Sequence, residues 1–318
     1  MKVLAHINPD VAGIAPYEPG RPIDEVAAER GLDPDNVLKL ASNENTLGPS
    51  PKAAAAIRAH AAGVHRYPDG GAWRLREAIA GHYGLTREHV LVGNGSNELL
   101  ELVGHAFLHG ETATVFSRHA FVVYRLVSAL FGARQIEVPT TAGLGHDLTA
   151  MAAAITPATR VVFVCLPNNP TGTMVDADAL DAFIDRVPES VLVVLDEAYA
   201  ELTPGTFPDT LSYVRAGKPV LITRTFSKAY GLAGLRLGYA FGAPQLVRAL
   251  NQARQPFNCN LVAQVAGVAA LGDTEFIAAS RQLCDDSRQR LADGFRRPDL
   301  DYIPSHANFG LVKVGDGA

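Results

Sequence analysis

Val191-Leu192-Val193-Val194-Leu195-Asp196-Glu197-Ala198-Tyr199 is the stretch that decides the fold. Five apolar residues in succession, three of them valine, predict a short strand buried on both faces, the kind found in parallel sheets covered by helices. The strand delivers two carboxylates at its end. A buried carboxylate without a partner is costly, so a cation is expected opposite it. In open α/β sheets, ligands bind beyond the carboxyl ends of the strands. Asp196 is therefore either an acid facing a ligand or the N-cap of a following helix. Tyr199, three residues on, can donate to a ring oxygen of such a ligand.

Similar short runs lie on either side. His89–Val92, Thr112–Phe116, Arg134–Val138, Arg160–Cys165 and Pro219–Thr223 all predict buried strands. Helices are predicted between most of them, over 97–108, 120–131, 147–154, 176–187 and 209–216. Two more precede them, over 51–62 and 73–83, the first with Ser50 as N-cap and Pro51 at its first position. This alternation predicts an α/β fold, a three-layer α/β/α arrangement around a mainly parallel sheet. From about Pro244 the pattern turns helical (244–254, 261–271, 274–296), and a strand over Phe309–Val312 follows. The expected division is an N-terminal arm and packing segment over 1–45, a large domain over 46–255, and the start of a smaller, incomplete α+β domain over 256–318.

Composition narrows the function. At 318 residues, 47% hydrophobic and 19% charged, the chain is an ordinary globular protein of about two domains. A net charge of -5 gives no reason to expect nucleic acid or an anionic membrane as partner. No apolar run approaches the roughly 18 residues that span a bilayer, and the first ten residues lack the apolar core of a signal peptide. Cys165, Cys259 and Cys284 have no CxxC spacing and read as reduced thiols of a cytoplasmic protein. No His/Cys cluster has metal-ligand spacing, so no metal is expected.

The chemistry concentrates in Thr225-Phe226-Ser227-Lys228-Ala229-Tyr230-Gly231-Leu232-Ala233-Gly234-Leu235-Arg236-Leu237-Gly238. A lone lysine in a glycine-rich loop is usually a surface residue. This one follows two hydroxyl residues and an apolar run, with an arginine eight residues later. A lysine amine becomes a nucleophile toward aldehydes when burial and nearby cations lower its pKa. An arginine grips phosphate in a bidentate fork. Together they suit an aldehyde cofactor that carries a phosphate, with the amine forming a Schiff base and Asp196 keeping a pyridine nitrogen protonated. Val92-Gly93-Asn94-Gly95-Ser96-Asn97-Glu98 is a strand, a glycine turn and a helix N-terminus, which binds phosphate. A dinucleotide fingerprint needs glycine at 98, where Glu98 stands, so a single phosphate fits better than a pyrophosphate. Leu166-Pro167-Asn168-Asn169-Pro170-Thr171-Gly172 fixes a tight loop at a strand end. Asn169 there either bonds the cofactor's phenolic oxygen or is part of a turn. Phe121 stacks on a flat ring or is a core aromatic. Tyr67 and Tyr17, in proline-flanked loops, are site residues or interface packing.

These stretches resemble the histidinol-phosphate aminotransferase family, a branch of the fold-type-I enzymes that use pyridoxal 5'-phosphate. The matching segments run in order along nearly the whole chain: Pro16 to Ile23, Lys39 to Asn45, Arg66 to Asp69, Gly93 to Glu98, Pro167 to Gly172, Asp196 to Tyr199, Arg224 to Lys228 and Arg254 to Asn258. The resemblance implies that Lys228 is the Schiff-base lysine and proton shuttle, that Asp196 pairs with the pyridine nitrogen, and that Asn169 and Tyr199 bind the ring oxygen. Ser96, Asn97, Thr225, Ser227 and Arg236 would hold the phosphate, and Phe121 would stack on the ring. Tyr67 would reach across a homodimer interface to the neighbour's cofactor phosphate. Tyr17, Asn43 and Tyr67 would face the substrate.

The activity implied is exchange of the amino group between L-histidinol phosphate and 2-oxoglutarate in L-histidine biosynthesis. Aromatic amino-acid transamination and threonine-phosphate decarboxylation on the same fold are the alternatives. Family members carry a later arginine in an R-x-S-x-G setting that grips the anionic substrate, and no arginine follows Arg297 here. The sequence reading therefore also keeps open a truncated chain that binds cofactor or dimerises with little transamination. Asn45-Thr46-Leu47 in place of Asn-Pro-Leu, and Cys259 in place of valine, are milder departures.

Overall fold

The computed structural model describes residues 1–16, 20–297 and 300–315. Seven strands form one sheet: β1 (Val90–Gly93), β2 (Ala113–Ser117), β3 (Arg134–Val138), β4 (Thr159–Cys165), β5 (Leu192–Asp196), β6 (Val220–Thr225) and β7 (Gly238–Phe241). Their order across the sheet is β1-β7-β6-β5-β4-β2-β3. Pairings from β3 through β2, β4 and β5 to β6 are parallel, while β7 is antiparallel to both β6 and β1. The expected strands are present within one or two residues at each end.

β7 is absent from the sequence reading. It is four residues long and closes the glycine-punctuated stretch that carries Lys228, where turn signals mask a strand. The helix expected from Asn97 begins two residues earlier and spans Gly95–Phe107. The helix expected over 120–131 is shorter, Val123–Leu130, because residues 118–122 form the loop that carries Phe121. An unanticipated helix, Ile23–Arg30, lies near the N-terminus. The late strand is only β9 (Leu311–Val312), paired antiparallel with β8 (Tyr302–Ile303).

The continuous apolar runs follow from burial on both faces. Val162, Val164, Val193, Leu195 and Ile222 point to one layer, where Leu180, Phe183 and Ile79 cover them. Val161, Phe163, Leu192, Val194 and Leu221 point to the other, against Leu99, Val103, Tyr124 and Leu250. Burying each such side chain stabilises the fold by about 1.5–3 kcal/mol. The period of two places Asp196 on the same side as Leu192 and Val194, toward Tyr124.

A charged knot lies beside Asp196. Glu197, fully buried, accepts from Arg224 at 2.8 and 2.9 Å and from Thr210 at 2.5 Å. Glu201 accepts from Tyr239 at 3.2 Å and lies 3.6 Å from Arg224. Burial opposes the charge on Arg224, but Glu197, Tyr83 and Glu201 overcome that and raise its pKa. Arg224→Met leaves Glu197 buried and uncompensated, which is expected to cost about 3–5 kcal/mol of stability. Chemical denaturation measures this; a midpoint equal to wild type would mean that the pair contributes nothing net. Among the described residues no single helix is long and apolar enough to cross a membrane.

Candidate active site

The strand ends converge. Cys165 pairs with Asp196, Asp196 with Thr223, and Gly238 with both Thr225 and Gly93. The carboxyl ends of β1, β4, β5 and β6 therefore meet the start of β7 at one edge of the sheet. A cleft of ≈ 570 Å³ opens there. Ser96, Asn97, Phe121, Asn169, Asp196 and Tyr199 line it, as do Thr225, Ser227, Lys228 and Arg236. Asn43 joins them from the N-terminal segment.

One end of the cleft is a cradle for an anion. The helix Gly95–Phe107 begins there, and no side chain caps its Asn94 end, so its first N–H groups lack intrahelical partners. The backbone is pressed together: a Cβ on Gly238 would meet the Ser96 nitrogen at 2.5 Å. Gly95 has φ +76°, and a Cβ there would meet Nη2 of Arg236 at 2.5 Å. Glycine at both positions lets the guanidinium lie against the helix start. The Thr225 hydroxyl stands beside it and accepts from the Ser227 N–H at 3.1 Å. Two kinds of cationic or dipolar donor and two hydroxyls in one concavity suit a phosphate monoester.

The other end holds the acid. Asp196 is 2% exposed. Its Oδ2 accepts from the Tyr124 hydroxyl at 2.9 Å and its Oδ1 from Thr223 at 3.2 Å. Burial raises its pKa, opposed by Tyr124, Thr223, the Ala198 N–H and the charge of Lys228. Asp196 caps no α-helix; the next element is a 3-10 turn, Ala200–Leu202, preceded by Tyr199. The Tyr199 hydroxyl accepts from Asn43 and Asn169, each at 3.3 Å, and burial raises its pKa. His146 ties the ends of β2 and β4 beneath the cleft, bridging the Ser117 hydroxyl at 2.6 Å and the Cys165 carbonyl at 2.9 Å. Burial lowers its pKa to about 4.

Between the two ends stands Lys228. Its amine donates to the Ser42 carbonyl at 2.8 Å and lies 5.5 Å from the centre of the Tyr199 ring. Burial lowers its pKa to about 8; Arg236 adds to the effect, while Glu44 and Asp196 oppose it. The strap that receives the amine is held from both sides. Asn45 donates to the Ala229 carbonyl at 2.9 Å, and Asn308 donates to the Asn43 carbonyl at 3.0 Å.

One expected residue is not in this cleft. Tyr67 is 82% exposed and stacks on Phe257 at 4.8 Å. Tyr17 lies outside the described residues. The sequence reading missed Tyr124 and Thr223. Tyr124 had a signal, standing three residues beyond Phe121 in the same short segment; Thr223 had none, because its register with Asp196 depends on a parallel pairing across the sheet. Among the described residues no group of His, Cys, Asp and Glu is arranged to hold a metal ion.

The model of the class I and II aminotransferases matches residues 35–318. Histidinol-phosphate aminotransferase 2 of Ralstonia nicotianae is 50% identical over 309 residues, 97% of this chain and 82% of the relative. The chain belongs to the histidinol-phosphate aminotransferase family. A second member, from Akkermansia muciniphila, is 48% identical across 100% of this chain and 87% of its own length. Among solved structures, the histidinol-phosphate aminotransferase of Sinorhizobium meliloti in complex with pyridoxal 5'-phosphate superposes with a TM-score of 0.88. It is 29% identical, and the match covers 98% of this chain and 83% of that one.

Proposed function

We propose that this chain is a pyridoxal 5'-phosphate-dependent aminotransferase that moves the amino group of L-histidinol phosphate to 2-oxoglutarate, giving imidazole acetol phosphate and L-glutamate in L-histidine biosynthesis. The observation that carries the reading is the meeting, in one cleft, of an anion cradle, a lysine amine of lowered pKa and a buried carboxylate. The family's histidinol-phosphate members at 48–50% identity support the choice of substrate. The cleft residues fit the cofactor group for group, with the cradle for its phosphate and Asp196 for its ring nitrogen.

When bound, the cofactor supplies an electron sink that makes a proton on the substrate carbon labile. Lys228 Nζ would hold the cofactor's aldehyde carbon, and its amine would carry that proton. Asp196 keeps the ring nitrogen protonated. Asn169 and Tyr199 orient the ring oxygen, and Phe121 covers one ring face. The Ser96 and Asn97 amides, Thr225, Ser227 and Arg236 grip the phosphate. Asn43 and Tyr17 belong to the substrate side. Residues 46–255 form the cofactor-binding part and 256–318 the smaller one, with 1–45 as arm and packing segment.

The working unit in this reading is a homodimer in the cytoplasm. Three free, buried cysteines suit a reducing compartment. Tyr67, outside its own cleft, forms an exposed apolar patch with Phe257, 46% exposed, and lies a few residues from Trp73, 52% exposed. A two-fold partner would cover that patch and receive Tyr67 into its own site. Mixing Lys228→Ala subunits with Tyr67→Phe subunits is then expected to regenerate activity in heterodimers. Heterodimers that form and stay as inactive as the parents would return Tyr67 to simple packing.

The substrate test compares glutamate release from 2-oxoglutarate with histidinol phosphate or phenylalanine as donor. A higher kcat/KM for histidinol phosphate is expected. Preference for phenylalanine would overturn the substrate assignment and leave the transaminase reading intact.

A further inference from the structure

Tyr124 is unused by the reading above, yet it touches two of its main parts. Its hydroxyl donates to Asp196 Oδ2 at 2.9 Å. Its ring meets Phe121 edge-on, with centroids 5.8 Å apart and planes at 86°. The ring has no freedom to give up these contacts. It is fully buried, stacks on Phe163 at 4.7 Å within 3° of parallel, and lies 6.4 Å from Phe116. Its helix is fixed in turn where Ser128 donates to the Tyr124 carbonyl at 2.7 Å and shares a 2.8 Å hydrogen bond with Thr114 on β2.

We propose that Tyr124 is a positioning residue of the aminotransferase reaction, its hydroxyl fixing the plane and charge of the Asp196 carboxylate while its ring edge sets the tilt of Phe121. This rests on the reading of Asp196 and Phe121 as the groups that meet the cofactor ring. Both contacts belong to one side chain at the start of its helix, so Phe121 and Asp196, the groups that would meet the cofactor ring, are placed together. A purely structural tyrosine would satisfy its hydroxyl on any buried acceptor. This one is spent on the cleft's buried acid, and it donates, which is the sense that spreads the carboxylate's negative charge.

The consequence is electrostatic. The groups that face Asp196 are Tyr124 from its helix, Cys165 from β4, Thr223 from β6, Lys228 from the loop after β6, and the Ala198 N–H of its own chain turn. Of the uncharged donors, Tyr124 acts most strongly against the effect of burial. The hydroxyl bond makes Asp196 a weaker base than burial alone would leave it, which would favour keeping a shared proton on the cofactor's ring nitrogen. Without it Asp196 would be more basic, and the ring nitrogen would be protonated less of the time.

The test uses holoenzyme of wild type, Tyr124→Phe, Asp196→Asn and the double variant. Tyr124→Phe keeps the ring and its stacking. It is expected to lower kcat by about 10–100-fold, the effect of losing a hydrogen bond to a charged group, with KM for the amino donor nearly unchanged. The pH midpoint of the bound cofactor's visible band is expected to rise by roughly 0.5–1 unit. In the Asp196→Asn background the same change is expected to do little, because the two side chains act as one unit. Tyr124→3-fluorotyrosine, a more acidic phenol of nearly the same shape, is expected to move the band midpoint downward, and it decides the question if Tyr124→Phe does not fold. A Tyr124→Phe or 3-fluorotyrosine enzyme with wild-type kcat and spectrum would overturn the proposal. If Asp196→Asn were also indistinguishable from wild type, the reading of Asp196 itself would fall.

Discussion

Lys228→Ala protein is expected to fold, to bind pyridoxal 5'-phosphate reversibly and to show no measurable transamination. The amine lies between the cradle and the acid and donates to the carbonyls of Ser42 and Asn43, which water can satisfy once the amine is gone. Removing a lysine whose pKa is held down to about 8 by burial relieves a desolvation cost, so the apoprotein should lose little stability. Borohydride reduction of the wild-type holoenzyme followed by peptide mapping is expected to find the cofactor on Lys228. An adduct on Lys39, the other lysine at the cleft, would displace the assignment.

The lowered pKa also sets a pH dependence. The neutral amine attacks an aldehyde and the ammonium does not. With a pKa of about 8, about one tenth of the amine is neutral at pH 7, against a few parts in ten thousand for an ordinary lysine. The rate of covalent attachment of cofactor to apoprotein should therefore rise with pH through about 8 and level off above it. A rate still climbing tenfold per unit at pH 9 would show an ordinary, solvated lysine.

The sequence makes legible what is local. Valine-rich runs that end in acid, amide or hydroxyl groups mark strand ends, and the Asp196, Asn169 and Lys228 stretches gain their meaning from one another, since alone each also reads as a cap, a turn or a surface lysine. Their meeting at one sheet edge followed from the rule that places ligands beyond the carboxyl ends of parallel strands. What escaped was non-local or brief. β7 is four residues beside a glycine-rich turn, and its antiparallel insertion between β1 and β6 depends on long-range pairing. Thr223 reaches Asp196 only through register. The buried knot of Arg224, Glu197 and Glu201 joins residues from two strand ends, and no spacing in the sequence announces it.

Asp196→Asn is expected to separate function from stability. Asn fills the same volume but carries no charge to keep the ring nitrogen protonated. Loss of such a charge-stabilising group costs about 3–4 kcal/mol of barrier, or roughly 10²–10³-fold in kcat. The apoprotein should respond in the opposite sense. Burial raises the Asp196 pKa above its unfolded value, so the folded state favours the protonated form. That preference stabilises the fold below the unfolded pKa and is lost as pH rises through the folded one. Above its folded pKa the ionised, buried carboxylate is thus a cost to the apoprotein that Asn does not carry. Thermal denaturation of cofactor-free Asp196→Asn protein at pH 7 should give a Tm equal to or above wild type, and a Tm that varies less between pH 4 and 7. A gain in apoprotein stability together with a loss of turnover is the outcome expected of a site residue. A variant with wild-type turnover and a lowered Tm would mean instead that Asp196 serves the fold alone.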